Sequence, residues 1–138
     1  MIIISKHSIL DIVNDYPKIY ESVFGEFTWQ DNVPAEVYVV KNGEESIGFV
    51  SGYSTAPKVW FLLRGGFNKD LQGRVGNLRT YLDVLLQLHR EYDFILTRVC
   101  NEDIKALKMD LNAGFKIIGM RQGTSGDLYL ELIHKKEN

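Results

Sequence analysis

The chain reads as an α+β fold: a mixed sheet of six or seven mostly antiparallel strands, with a central parallel pair and helices on both faces. Three stretches of the second half predict it. Residues 58–67 (KVWFLLRGGF) form an apolar strand that runs into a glycine-containing loop, 68–77 (NKDLQGRVGN). An amphipathic helix through Tyr92 follows, and a second apolar strand occupies Phe94–Cys100. A helix over about 102–112, stopped by Gly114-Phe115, and a closing hairpin complete the order. Two neighbouring strands joined through a helix run parallel, because an antiparallel pair needs no crossover.

The first third supplies a strand and a covering layer. Ile2, Ile3 and Ile4 are β-branched and suit a short strand. Ser8 is placed to cap a helix whose apolar face is Ile9, Leu10, Ile12 and Val13, with Asp11 three residues after the cap. Pro17 suits the first turn of a second helix, striped by Ile19, Tyr20, Val23 and Phe24 and stopped by Gly25. Next, 37–40 (VYVV) and 46–53 (SIGFVSGY) flank Asn42-Gly43, a strong hairpin signal. Ser54-Thr55-Ala56-Pro57 turns the chain into 58–67, which makes a three-strand meander.

Val75, Leu78, Leu82, Leu85 and Leu86 recur at helical spacing after the loop, and Leu88 widens the stripe. Alternation along 58–67 sets Trp60, Leu62 and Arg64 on one face and Phe61, Leu63 and Gly65 on the other. The expected cluster is Trp60, Leu62, Phe94, Leu96, Leu78, Leu82 and Leu85. His89 sits beside the helix stripe with no carboxylate or cysteine at helical spacing, and reads as a boundary residue.

Composition places all of this in one domain, 1–138. The length is near the modal domain size, and 45% hydrophobic with 25% charged residues is an ordinary globular balance. A net charge of −2 without a Lys/Arg run argues against nucleic acid as a partner. Cys100 is the only cysteine and the three histidines are scattered, so neither an intrachain disulfide nor a zinc cluster is expected. MIIIS lacks the basic lead and apolar length of a signal peptide, and no run reaches membrane-spanning length. A cytoplasmic setting without membrane partners is the expectation.

The element order, Gln72 with its neighbouring glycines, and the segment 101–115 from Asn101 to Gly114-Phe115 resemble the GCN5-related N-acetyltransferase (GNAT) superfamily. The family's turn after the fourth strand reads Arg or Gln, two residues, Gly, one residue, then Gly or Ala, and holds the pyrophosphate of acetyl-coenzyme A. Backbone N–H groups and a helix N-terminus do the holding, with glycine allowing close approach. The best register here is Gln72-Gly73-Arg74-Val75-Gly76-Asn77, with Val75 and Asn77 at the positions where the pattern has small residues. The resemblance thus implies acetyl-CoA as co-substrate. Gln72, Gly73, Arg74, Val75, Gly76 and Asn77 would meet its pyrophosphate, with Lys69 adding charge. Its pantetheine would run along Phe67 towards Asn101. The same glycines also read as a loop leading into a helix, and Asn101 as a helix cap.

Acetyl transfer from a thioester needs a deprotonated amine, a polarised carbonyl and a proton for the leaving thiolate. The family's acid is commonly a Tyr four residues before the Gly of Gly-Phe, and here that position counts back to Asp110. No Tyr lies between Tyr92 and Tyr129, and 58–67 has no acidic residue, so the catalytic groups are unassigned. Glu44 and Glu45 fall in a hairpin turn, and Cys100 reads as a small hydrophobe ending a strand. Gly65-Gly66 suits a bulge or a close backbone approach.

Trp60-Phe61, the helix end Arg90-Glu91-Tyr92-Asp93, and Asn101 leading to Leu111-Asn112-Ala113-Gly114-Phe115 also look like small acetyltransferase-like proteins of tailed phages, some of them internal virion proteins. Two functions stand side by side. One is an acyl-CoA-dependent N-acetyltransferase acting on a small-molecule or protein amine. The other is a non-catalytic phage or prophage protein of the same fold, whose partners would be a second copy in a homodimer or other proteins of the phage particle, and whose location would be the virion.

Overall fold

The computed structural model describes residues 1–8, 11–12, 15–16, 36–68, 71, 74 and 76–137. Most of the two helices expected before Gly25 lies outside these, as do Lys69, Gln72, Gly73 and Val75. The described elements are β1 (Ile2–His7), β2 (Glu36–Asn42), β3 (Glu45–Ala56), β4 (Val59–Phe67), α1 (Asn77–Leu88), β5 (Phe94–Cys100), α2 (Ile104–Asn112), β6 (Lys116–Gln122) and β7 (Leu128–Lys135). The strands form one seven-stranded mixed sheet in the order β1-β2-β3-β4-β5-β7-β6, and β4 and β5 are its parallel pair. The expected crossover between these two strands is α1. The chain divides into two compact units, one of Met1–Tyr53 with Leu62–Asn77 and one of Ser54–Phe61 with Leu78–Asn138.

In the first unit, β1, β2 and β3 run antiparallel in turn. The hairpin at Asn42-Gly43 is present as the two-residue connection Gly43-Glu44, with Asn42 opposite Glu45. Ser8 does cap the first helical turn: its Oγ accepts the Asp11 N–H at 3.3 Å, and Ser8 O accepts the Ile12 N–H at 3.2 Å. That turn delivers Ile12, fully buried, to a core of Val37, Val39 and Phe49, with Tyr16 packed against it. Burial of this kind contributes about 1.5–3 kcal/mol per large side chain. β3 and β4 approach closely, since a Cβ on Gly48 would stand 2.5 Å from the Gly66 carbonyl oxygen. The Gly65-Gly66 pair accordingly serves a strand-to-strand approach, with Val50 filling the space beside Gly65.

In the second unit, the turn after β3 is tighter than expected. The strand continues to Ala56, and only Pro57 and Lys58 reverse the chain. Pro57 fixes the first corner, and Lys58 takes φ 64° at the second, as the second corner of a type II turn requires. The Lys58 carbonyl then accepts the N–H groups of Asp93 at 2.8 Å and Phe94 at 3.2 Å.

The buried face of α1 differs from the leucine stripe. Val84, Leu85 and Leu88 are buried, whereas Leu82 is 37% and Leu86 64% exposed. The true stripe is Tyr81-Val84-Leu85-Leu88-His89, an i, i+3, i+4, i+7, i+8 series whose outer members are aromatic. β5 differs likewise. Ile95, Thr97 and Val99 are its buried face, while Phe94, 37% exposed, lies on the opposite face with Leu96 and the exposed Arg98. Trp60 and Leu62 are buried as expected. Trp60 stacks on Tyr92 at 5.9 Å.

α2 is bounded by its own chemistry. Asp103, rather than Asn101, is its N-cap, and its Oδ1 accepts the Ala106 N–H at 3.2 Å. At the other end Gly114 takes φ 100°, the Gly114 N–H reaches Leu111 O at 3.1 Å and the Phe115 N–H reaches Asp110 O at 3.0 Å. That pair of bonds is the Schellman termination, which needs a left-handed residue at this position.

Candidate functional site

The loop between β4 and α1 is held by two asparagines. The Asn68 N–H bonds Ile47 O at 2.9 Å and its Nδ2 bonds Ser46 O at 2.8 Å, which fixes the loop's start to β3. Leu71 N–H returns to Asn68 O at 2.8 Å. At the far end, Asn77 Nδ2 donates to Leu71 O at 2.9 Å, and the Asn77 N–H bonds Arg74 O at 3.4 Å. Asn77, where the resemblance implies Gly or Ala, is therefore the residue that closes the loop on itself.

Gly76, just before the helix, takes φ 100°, and a Cβ there would meet nothing within 4 Å. The need is conformational rather than steric: this backbone angle is open to glycine and strained for other residues. The first turn of α1 contains no acidic residue. No carboxylate of that first turn offsets its partial positive end. Arg74 is exposed beside it, and Arg79 is exposed within that first turn. Arg79 escaped the motif reading because it falls after the six-residue pattern, although its place three residues past Gly76 is the signal for it.

The remaining expected residues stand as follows. Arg74, Gly76 and Asn77 are brought together by the closed loop. Phe67, half-buried, ends β4 in the first unit. Asn101 belongs to the second unit, follows β5 and is exposed, and its N–H bonds Leu128 O at 2.9 Å. Cys100 is half-buried with a free thiol, and Glu44 and Glu45 are exposed.

Asp110, to which the tyrosine position counted back, meets a second titratable group, Tyr81 of α1, inside the second unit. Asp110, buried, accepts a hydrogen bond from the Tyr81 hydroxyl at 2.7 Å. Burial pushes its carboxyl above the usual range, the Tyr81 bond pulls it back, and the Asp103 charge raises it further. Burial, the Asp110 charge and the same bond hold the Tyr81 phenol well above its ordinary value, so it remains a donor. Asp110 stands where the resemblance implies a Tyr, and the phenol bonded to it comes from α1. Phe115 stacks on the Tyr81 ring at 6.3 Å. No described helix is long and apolar enough to cross a membrane.

No protein-family model matches the sequence, and no curated protein matches it. Solved structures do. A GNAT family acetyltransferase from Elizabethkingia anophelis with acetyl-CoA bound superimposes with a TM-score of 0.72 at 16% identity, over 98% of each chain. A GNAT acetyltransferase from Bacillus cereus gives 0.72 at 19% identity, over 100% of this chain and 99% of its own. The aminoglycoside acetyltransferase AAC(6')-Ib in complex with coenzyme A gives 0.69 at 14% identity, over 99% and 95%. Identities this low establish the fold alone, and the fold is the GNAT fold. The resemblance to small phage proteins has no counterpart among these structures.

Proposed function

We propose that this chain is an acyl-CoA-dependent N-acetyltransferase whose pyrophosphate site is the turn 72–77 together with the start of α1. The observation that carries the reading is the anion-receptive helix start: Gly76 at φ 100°, no acidic residue in the first turn, and Arg74 exposed alongside. Helix N-terminal N–H groups lack internal partners and bind phosphate oxygens well. The fold supports the same reading, since structures that share it were solved with acetyl-CoA or coenzyme A bound.

Acetyl-CoA would bring the thioester acyl group. What this chain supplies is the glycine-led start of α1 for its anionic end and an arginine charge beside it. Asn77 serves here by holding the turn shut, which a small residue at that position cannot do through a side chain. A small-molecule or protein amine is the acceptor class. AAC(6')-Ib, of the same fold, was solved with paromomycin and acetyl-CoA, which makes polyamino sugars a reasonable first member of an acceptor panel.

The test is release of coenzyme A thiol from acetyl-CoA in the presence of aminoglycosides, polyamines and peptides with free amino groups. Amine-dependent thiol release, with a matching gain of 42 Da on the amine (one acetyl replacing one proton, on the order of the mass of C2H2O), is the expected result. Binding of acetyl-CoA with no amine-dependent release in any arm would favour the non-catalytic reading of the fold.

A further inference from the structure

The second unit contains a three-link chain of imidazoles and carbonyls. His89 Nδ1 lies 2.9 Å from Tyr92 O, His89 Nε2 lies 2.7 Å from His134 Nδ1, and His134 Nε2 lies 3.0 Å from Ala113 O. His89 is 5% exposed and the ring centroids are 4.9 Å apart. Each link needs one proton. A carbonyl oxygen only accepts, so the outer nitrogens must both donate, and the inner contact needs one donor and one acceptor. Three links therefore take three protons. Two neutral imidazoles bring two, and two imidazolium rings bring four. Every neutral combination of tautomers sets two acceptors face to face at one link or more. The doubly charged state sets two N–H groups against each other at the middle.

We propose that His89, buried, and His134, half-buried, form a one-proton site: the pair is a monocation, with a single proton shared between His89 Nε2 and His134 Nδ1. This holds whether or not the chain transfers acetyl groups. The ligand is the proton itself, because a metal does not fit between the rings. Two nitrogens at about 2.0–2.1 Å from a tetrahedral ion stand roughly 3.3 Å apart, wider than the 2.7 Å found here.

The surroundings agree with one charge and not two. Burial holds the His134 ring below its ordinary protonation range. The Ala113 carbonyl opposes this, the His89 charge adds to it, and the Glu137 carboxylate, just past β7, again opposes. The second proton is thus the one refused. On α2 the buried titratable group is Asp110, bonded to Tyr81. Arg90 and Glu91 after α1, Lys116 on β6 and Lys135 on β7 are exposed. From β6's approach, Phe115 presents its ring edge-on to His134 at 5.1 Å.

Loss of the shared proton would force one link to break, freeing either the Tyr92 carbonyl behind α1 or the Ala113 carbonyl at the end of α2. The pair is then a pH-sensitive clasp on those two helix ends and β7, and its two rings titrate as one system rather than as two residues.

The experiment is long-range proton–nitrogen NMR of the histidine rings in the full-length protein at pH 7, with His7→Asn used to identify the third ring. A count of one proton on the two inner nitrogens, with both outer nitrogens protonated, is the expected result. A count of none or of two overturns the proposal. In His134→Leu, His89 should lose the shared-proton shift, and an unchanged His89 signal would also overturn it. If that variant does not fold, the count in the unsubstituted protein still decides.

Discussion

Replacing Tyr81 by Phe tests the buried contact between α1 and α2 while leaving its packing in place. The ring that stacks on Phe115 at 6.3 Å is retained, and only the hydroxyl is lost. That hydroxyl lies 2.7 Å from Asp110 Oδ1, a short separation typical of a phenol donating to a carboxylate. Hydrogen bonds to charged groups contribute about 1.5–3 kcal/mol, against about 0.5–1.5 kcal/mol for neutral pairs. The substitution should therefore cost about 1.5–3 kcal/mol at pH 7.5, where the lost bond is charge-assisted.

The pH dependence has a definite sign. Burial raises the Asp110 carboxyl above its unfolded value while the Tyr81 bond lowers it. Between the unfolded and folded values the native state holds more protons, so the stability this group contributes is lost as pH rises through the folded value. Removing Tyr81's bond raises the folded value again, which extends that loss to higher pH. The gap between Tyr81→Phe and the unsubstituted protein should accordingly shrink on acidification, as the bond becomes neutral. Asp110→Asn keeps an oxygen acceptor without a buried charge and should cost less than Tyr81→Phe at pH 7.5. Urea unfolding at pH 4.5 and 7.5 measures all three. A Tyr81→Phe loss under about 0.5 kcal/mol, or one equal at both pH values, would refute the reasoning.

The other substitutions follow the same logic. Leu85→Ala should cost about 2–5 kcal/mol, because Leu85 is 1% exposed. Leu82→Ala, at a side chain 37% exposed, should cost clearly less, and reversed costs in chemical denaturation would put the helix face wrong. Lys58→Gly should change stability by between zero and about +1.5 kcal/mol, since relief of roughly 1–2 kcal/mol of left-handed strain is offset by about 0.5–1 kcal/mol of glycine chain entropy. A loss instead of a gain on urea titration would show that Lys58's side chain, not its backbone angle, matters there. Arg74→Ala should weaken acetyl-CoA binding about three- to tenfold by removing one phosphate-facing charge, and calorimetry showing equal affinity would place the phosphates elsewhere.

What the sequence made legible was what local rules control. Phe94–Cys100 is, apart from Arg98, a run of apolar and β-branched residues, and the strand has those bounds. Gly114-Phe115 ends a helix because only a left-handed residue completes the two terminating bonds. The parallel β4–β5 pair followed from the helix between them. Faces were harder. Leu82 and Leu86 outbid Tyr81 and Val84 by hydrophobicity, and Phe94 and Leu96 outbid Ile95 and Thr97, although alternation offered both choices. Which face is covered is a tertiary fact that composition does not carry.

The loop before α1, the candidate site, was partly legible for a related reason. Gly76 announced a special backbone angle, but nothing in sequence showed that Asn77 would spend its amide on Leu71 O. Partners distant in sequence were invisible: Tyr81 with Asp110 lies 29 residues apart and His89 with His134 lies 45. Two signals existed. His89 completes the i, i+8 position of the buried helix stripe, and His134 lies two residues from the fully buried Leu132 on the same strand face.

The most direct measurement of the central claim is calorimetric titration of the full-length chain with acetyl-CoA, paired with its thermal unfolding midpoint at each ligand concentration. No acceptor needs to be known. A ligand bound only by the native state stabilises it by about 2.7 kcal/mol at a hundredfold excess over the dissociation constant. Saturable heat and a midpoint that climbs with acetyl-CoA concentration are the expected result. No heat and an unmoved midpoint at millimolar acetyl-CoA would contradict it.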